Sequence, residues 1–229
     1  MRTASLKKII NWSSVETVLL DMDGTLLDLH FDNYFWQEYL PLRYAQLKQL
    51  NLEDCKLEIH NKTNSIRGTL NWYSTDYWSQ ILEIDVVELK HEVSHKVSLR
   101  PYCVDFLDAL REAGKDIVLV TNAHQDSLNL KMTLTGISAK FDCLITVHEF
   151  SLPKENSECW AEVNQRHPFN PKAAVLIDDN LTALRSARKY GIEQLVAIHK
   201  PDSQAPAMAV DEFEALHSFE DIMPIRCRF

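Results

Sequence analysis

Residues 17–28 read Thr17-Val18-Leu19-Leu20-Asp21-Met22-Asp23-Gly24-Thr25-Leu26-Leu27-Asp28. The first four have no polar alternation, which is the pattern of a strand buried on both faces of a parallel sheet. That strand runs straight into two carboxylates one residue apart. Four further apolar runs, at 117–120, 144–147, 173–177 and 195–198, repeat its character. Helical spacing lies between them. Val104, Leu107, Leu110 and Arg111 run to Gly114, and Leu128, Leu130 and Leu134 run to Gly136. Asn180 is placed to cap a helix through Leu184, Ala187 and Tyr190 that Gly191 closes. Alternating strands and helices of this kind specify an α/β, doubly wound Rossmann-like core with a parallel central sheet.

The rhythm fails between Leu29 and Val97, where there is no clear strand and many of the aromatics sit. Some seventy residues cannot join two strands of a compact domain without structure of their own. They read as an all-helical insert, which divides the chain into a core of residues 1–28 and 98–229 and an insert of 29–97. Leu70, Tyr73, Tyr77 and Ile81 follow one helical stripe. Past Pro201 the chain reads as loops, with a short helix over 211–216.

The ends of the strands carry the chemistry. The first ends at Asp21-Met22-Asp23-Gly24-Thr25, the second at Thr121-Asn122 and the fourth at Asp178-Asp179, while Lys154 follows the third after a short loop. Open parallel sheets bind ligands outside the carboxyl ends of their strands. Four carboxylates, a hydroxyl and an ammonium group then converge on one crevice. Like charges so crowded call for a cation, and an all-oxygen donor set that leaves room for water and phosphate suits Mg²⁺.

Those same residues resemble the four motifs of the haloacid-dehalogenase-like (HAD) superfamily, in chain order: Asp21 to Asp28, Thr121, Lys154, and Asp178-Asp179. The insert is similar to that family's all-helical C1-type cap. The resemblance implies a Mg²⁺-dependent phosphomonoesterase in which Asp21 is the nucleophile and Asp23 the general acid and base. It also implies that Thr121 and the Asn122 backbone hold phosphoryl oxygens, and that Lys154 offsets their charge. The metal then rests on Asp21, the Asp23 carbonyl and Asp179, with Asp178 a second ligand or a water-holder. A carboxyl at position 23 favours phosphate esters, because a halide leaves without a proton. Residues 29–36, 70–73 and 76–78, with Thr121-Asn122-Ala123-His124, resemble the bacterial GMP/IMP nucleotidase group. That implies purine nucleoside monophosphates as substrates, with His30, Asn33 and Tyr34 as polar contacts, one of the aromatic rings of the insert against the base, and His124 near the rim. Another small phosphomonoester, such as a sugar phosphate or phosphoglycolate, is the neighbouring alternative; a phosphate-binding regulatory module without catalysis is the alternative of another class.

Other readings of the same residues are weaker. D-x-D also occurs in Mn²⁺-dependent glycosyltransferases, but these lack the three later motifs. A response-regulator receiver places its acidic pair before the phosphorylated Asp, not after the Lys. His91-Glu92-Val93-Ser94-His95 is a literal H-E-x-x-H. Its flanks, Lys90 and Lys96, are charged, so a solvated helix face is expected rather than a zinc site.

Composition narrows the partners. Among 229 residues, 24 Lys and Arg against 33 Asp and Glu give a formal charge of −9, which disfavours nucleic-acid polymers and anionic membranes. There is no Gly-rich nucleotide cradle. No apolar run approaches a membrane span, and the start of the chain, with Lys7 and Lys8, lacks an apolar secretion segment. The expectation is a cytoplasmic enzyme with a small-molecule substrate and no obligate protein partner. Its five cysteines (Cys55, Cys103, Cys143, Cys159, Cys227) have no C-x-x-C spacing and are expected to be reduced and mostly buried.

Overall fold

The computed structural model of the chain describes residues 9–210 and 212–225. Lys7, Lys8 and Cys227, named above, lie outside them. Six strands, β1 (Thr17–Leu20), β2 (Asp116–Thr121), β3 (Cys143–Thr146), β4 (Ala174–Asp178), β5 (Gln194–Ile198) and β6 (Glu214–Leu216), form one sheet in the order β3-β2-β1-β4-β5-β6. Every pairing is parallel. Thr17 stands opposite Asp116 on one side and Ala174 on the other, and Leu20 opposite Leu119 and Ile177. The chain builds outward from β1 in one direction and then, from β4, in the other, so the order reverses between β1 and β4. This is the doubly wound arrangement, and it opens a crevice beside the end of β1.

The five apolar runs are all strands, within a residue of the expected bounds. The sixth strand was expected to be a helix. Asp211 lies outside the described residues, but Glu214–Leu216 pairs with Val196, Ala197 and Ile198 as the sheet's edge. Pairing with β5 outweighs local preference there.

Four helices clothe the sheet. Helices α7 (Cys103–Glu112) and α8 (Gln125–Thr135) cover one face, where Phe106, Leu107, Leu110, Leu128 and Met132 join Val18, Leu20, Ile117, Leu119, Val175 and Ile177. Helices α9 (Cys159–Arg166) and α10 (Leu181–Tyr190) cover the other, where Trp160, Val163, Leu184 and Ala187 meet Leu19, Val118, Val120 and Leu176. Each such buried side chain contributes about 1.5–3 kcal/mol relative to exposure. Asn180 does cap α10, accepting from the N–H groups of Thr182 and Ala183, and Gly191 closes it at φ +113°.

Between β1 and β2 the chain is helical: α1 (His30–Tyr34), a π-helical turn (Phe35–Tyr39), α2 (Leu40–Lys48), α3 (Leu52–Ser65), α4 (Leu70–Tyr73), α5 (Thr75–Leu82) and α6 (Val86–Glu92). These helices bury a cluster of their own around Phe31, Phe35, Leu40, Ile59, Trp78, Leu82 and Leu89. The stripe from Leu70 to Ile81 is not one helix. Ser74 is extended and caps α5 by accepting the Tyr77 N–H, so Leu70 packs against the core while Tyr77 and Ile81 pack within the insert. The segment leaves and returns through one neck. The Asp28 N–H donates to the Ser98 carbonyl at 3.0 Å, the Arg100 N–H to the Leu26 carbonyl at 2.9 Å, and Leu27 pairs antiparallel with Leu99.

Cys55, Cys103 and Cys159 are buried and Cys143 half-buried, and all four are free thiols. No helix among the described residues is long and apolar enough to cross a membrane.

Candidate active site

Asp21 is the first residue beyond β1, and its N–H still donates to the Ile177 carbonyl at 3.1 Å. The ladder between β1 and β4 therefore fixes where its carboxyl emerges, beside the end of β4. Lys154 closes the gap: its Nζ lies 2.5 Å from Asp21 Oδ1 and 2.7 Å from Asp178 Oδ2. The lysine is 2% exposed and Asp178 is fully buried. Asp178 also accepts the Asn180 N–H at 2.9 Å, so both its oxygens are engaged.

Gly24 shows how tightly the loop after β1 is set against the loop after β4. A Cβ there would sit 2.5 Å from Asp179 Oδ2 and 2.7 Å from its Cγ, and the residue is at φ +87°. Only glycine fits both the backbone and the approach.

The charges are far from balanced. Burial raises Asp21 to about 6, against the pull of Lys154. Burial, with Asp21 and Asp178 alongside, pushes Asp179 well above the ordinary carboxylate range. Burial opposes the charge on Lys154, but Asp178 and Asp21 outweigh it and hold the ammonium form. Among the described residues, Asp21 Oδ2 is buried with no hydrogen-bond partner, as is Thr25 Oγ1. A buried carboxylate oxygen left bare is costly. Carboxylate oxygens of Asp21, Asp178 and Asp179 lie within 4.8 Å of one another. Three acids against one ammonium group, with one carboxylate oxygen of Asp21 orphaned, form an all-oxygen site that fits a hard divalent cation.

Asp23 is held by a different lysine. Its Oδ1 accepts from Lys131 Nζ at 2.6 Å. Burial, then the nearby Asp32 carboxylate, raise it to about 6 against Lys131. Thr121 and Asn122, at the end of β2, are buried. Thr121 Oγ1 accepts the Ala123 N–H at 3.0 Å, and Asn122 Oδ1 accepts the Lys154 N–H at 2.9 Å. The sheet thus gathers Asp21, Asp23, Thr121, Asn122, Lys154, Asp178 and Asp179 at its carboxyl edge.

The insert's candidates are placed differently. Asn33 Nδ2 donates to Asp202 at 2.7 Å, and His30 lies 3.6 Å from the same carboxylate. Tyr34 sits under the Lys96 ammonium, 4.3 Å from its ring centroid. Phe31, Phe35 and Trp78 are spent in the insert's core. Trp72 is half exposed, with the Arg67 guanidinium 5.3 Å from its ring. His124 precedes α8 and meets Thr75 Oγ1 at 2.7 Å.

The H-E-x-x-H string does not lie on one helix. Helix α6 ends at Glu92, His95 belongs to a separate 3-10 turn, and Glu92 is held by Arg43 and Tyr39. Its flank Lys90 was expected in solvent but is 4% exposed, under the rings of Phe31, Phe35 and Trp36.

Sequence reasoning missed two contributors. Glu155 accepts from Asn122 Nδ2 at 2.9 Å, Asn180 Nδ2 at 2.7 Å and the Tyr73 hydroxyl at 3.1 Å, tying three distant segments together beside Lys154. Adjacency to Lys154 was its only signal. Lys131, 1% exposed, had none: a lysine on a helix ordinarily reads as solvated.

Comparison with known proteins places this geometry in context. The family model for haloacid dehalogenase-like hydrolases matches residues 18–197. The GMP/IMP nucleotidase YrfG of Escherichia coli (strain K12) is 35% identical over 215 residues, 94% of this chain and 97% of the relative. A pyrophosphatase, PpaX of Bacillus velezensis, is 31% identical over 77% of this chain and 80% of its own length. Among solved structures, a HAD phosphatase from Thermococcus onnurineus superposes with a TM-score of 0.75 at 21% identity, covering 91% of this chain and 96% of that one.

Proposed function

The chain belongs to the haloacid dehalogenase-like hydrolase family, and from that premise we propose that it is a Mg²⁺-dependent phosphomonoesterase of purine 5′-nucleoside monophosphates, GMP and IMP, acting through an aspartyl-phosphate. The observation that carries the reading is Asp21: a buried carboxylate at the end of β1, held by Lys154 through Oδ1 and bare at Oδ2.

In this reading a carboxylate oxygen of Asp21 attacks phosphorus, the bond from phosphorus to the 5′-oxygen breaks, and Asp23 gives its proton to that oxygen as the nucleoside leaves. Asp23, now a carboxylate, takes a proton from water. The water oxygen attacks the phosphorus, and phosphate departs as the Asp21 carboxylate is restored. Lys154 holds Asp21 and offsets charge on the phosphoryl group, whose oxygens are received by Thr121 and the Asn122 backbone. Asp21, Asp179 and the Asp23 carbonyl would hold Mg²⁺, with Asp178 braced behind them by Lys154 and the Asn180 N–H. When bound, Mg²⁺ neutralises the phosphoryl oxygens and favours attack by Asp21.

Residues 29–97 serve as a cap over the core of 1–28 and 98–229, excluding water and setting specificity. Trp72 is the ring best placed to take a purine, because it is half exposed and its neighbour Tyr73 reaches Glu155 beside the site. His30, Asn33 and Tyr34 keep their proposed place as polar contacts, with Asn33 and His30 oriented by Asp202 and Tyr34 by Lys96. The nucleotide assignment draws its support from the 35% identical nucleotidase.

Phosphate release tests it, measured over GMP, IMP, pyrimidine monophosphates, sugar phosphates, phosphoglycolate and pyrophosphate, each with Mg²⁺ and with chelator. GMP and IMP are expected to lead by kcat/KM, and chelator to silence every substrate. A sugar phosphate turned over well while GMP and IMP stay inert would overturn the nucleotide assignment. An unchanged rate in chelator would remove the metal.

A further inference from the structure

The four family motifs account for Asp21, Asp23, Thr121, Lys154 and the Asp178-Asp179 pair. They do not account for a second, largely buried chain of charges that starts at Asp23, itself 19% exposed at its side chain, and continues through α8, α1 and α6. Lys131 Nζ, on α8, lies 2.6 Å from Asp23 Oδ1 and 2.7 Å from Asp32 Oδ2 on α1. Asp32 Oδ1 lies 3.4 Å from Lys90 Nζ on α6. The side-chain exposures are 1% for Lys131, 14% for Asp32 and 5% for Lys90. Acids and ammonium groups alternate along it.

A buried arrangement of this kind is an expensive way to gain stability, since apolar residues of the same volume often serve as well. Its geometry suggests another use. Lys131 engages one oxygen of Asp23, and no hydrogen bond to Oδ2 is present among the described residues. The carboxyl is therefore held by one edge, and the oxygen left for proton exchange is defined. Asp32 fixes Lys131 from the far side and is itself braced by Lys90, whose ammonium lies 5.1 Å from the Phe35 ring centroid. Proton transfer depends on such placement, because a misplaced acid loses much of its effect.

We propose that Lys131 is the positioning residue for the acid–base carboxyl of Asp23, with Asp32 as the anchor that holds Lys131 in line. This rests on the role given to Asp23 above. Lys131 touches neither substrate nor metal in this account; it acts through Asp23.

The test compares two esters in the full chain with Mg²⁺. GMP has an alkoxide leaving group that needs a proton, whereas 4-nitrophenyl phosphate releases a phenolate that does not. The quantity compared is kcat/KM, which reports steps up to the first irreversible one. Lys131→Met is expected to lose about 100-fold on GMP and less than about 10-fold on the aryl ester, within the range of general-acid contributions. Lys131→Gln, which keeps a donor, is expected to recover at least about ten-fold of the GMP activity. Thermal melts accompany both variants. If Lys131→Met does not fold, Lys131→Gln carries the same two-ester comparison against the parent, with a larger loss on GMP expected. Equal losses on both esters in a folded variant would overturn the proposal while leaving the role of Asp23 intact. Asp23→Asn separates the two: full GMP activity in that variant would overturn both.

Discussion

At the carboxyl edge of the sheet, Asp21, Asp178 and Asp179 crowd one ammonium group, and Asp21 Oδ2 has no hydrogen-bond partner among the described residues. On the outer surface of the insert, Glu92 is met by Arg43 and Tyr39, Glu83 by Lys48 and Glu58 by Lys62. The first set is buried, drawn from distant segments and short of positive charge. The second lies at the surface, and each acid in it has its own cation. Surface pairs of the second kind contribute little to stability and need no ligand. The first is the set that the proposed Mg²⁺ would complete.

That contrast can be broken most sharply at Asp21. Asp21→Asn keeps the shape of the side chain but cannot form an acyl phosphate, and phosphate release is expected to fall by roughly 10⁴-fold or more. Its melting temperature should stay at or above that of the parent, since a buried carboxylate has been neutralised. A variant that turns over well would remove the covalent mechanism.

Gly24→Ala strikes the packing of the same edge without adding or removing a charge. The new Cβ overlaps Asp179 and the backbone is left-handed, so a cost of about 1–3 kcal/mol is expected from strain of this kind, together with weaker Mg²⁺ dependence of the melt. An unchanged melting temperature would show that the two loops are not locked together.

On the insert side, Trp72→Ala should raise KM for GMP by roughly 5–100-fold, the equivalent of about 1–3 kcal/mol of stacking. A sugar phosphate, having no base, should be unaffected. Equal effects on both would place the ring outside the site.

The smallest effect is one of pH on the metal-free protein. Asp21 is raised from 3.8 to about 6 by burial. The folded state then binds more protons than the unfolded one between those values. This contribution to stability is present below about pH 4 and is lost as the pH rises through about 6. Melts in chelator should decline across that window, less so in Asp21→Asn, and Mg²⁺ should offset the decline. A flat profile would mean that Asp21 is not strained by its burial.

The same division governs what could be read from the chain. Strands at 117–120 and 195–198 are legible because burial on both faces demands unbroken apolar residues, and a strand that ends in Asp178 advertises its chemistry. β6 was not legible. It is three residues long, includes Glu214, and exists because β5 offers it an edge. Lys90 and Lys131 were not legible either. A lysine declares a charge but not its partner, and both partners of Lys131 are some hundred positions away in sequence. The stripe from Leu70 to Ile81 misled for a local reason: Ser74 breaks it to cap the next helix.

The neck at Leu27 and Leu99 has one more consequence. Because the two crossings are bonded to each other, the sheet is indifferent to how much chain travels between them. Lengthening a tethered excursion costs only about 0.6 kcal/mol per doubling. The excursion can thus vary in length away from the neck, provided that Asp32 and Lys90 near its two ends stay to hold Lys131 against Asp23. A scaffold wired in this way tolerates change at the far side of the insert more readily than at its foot.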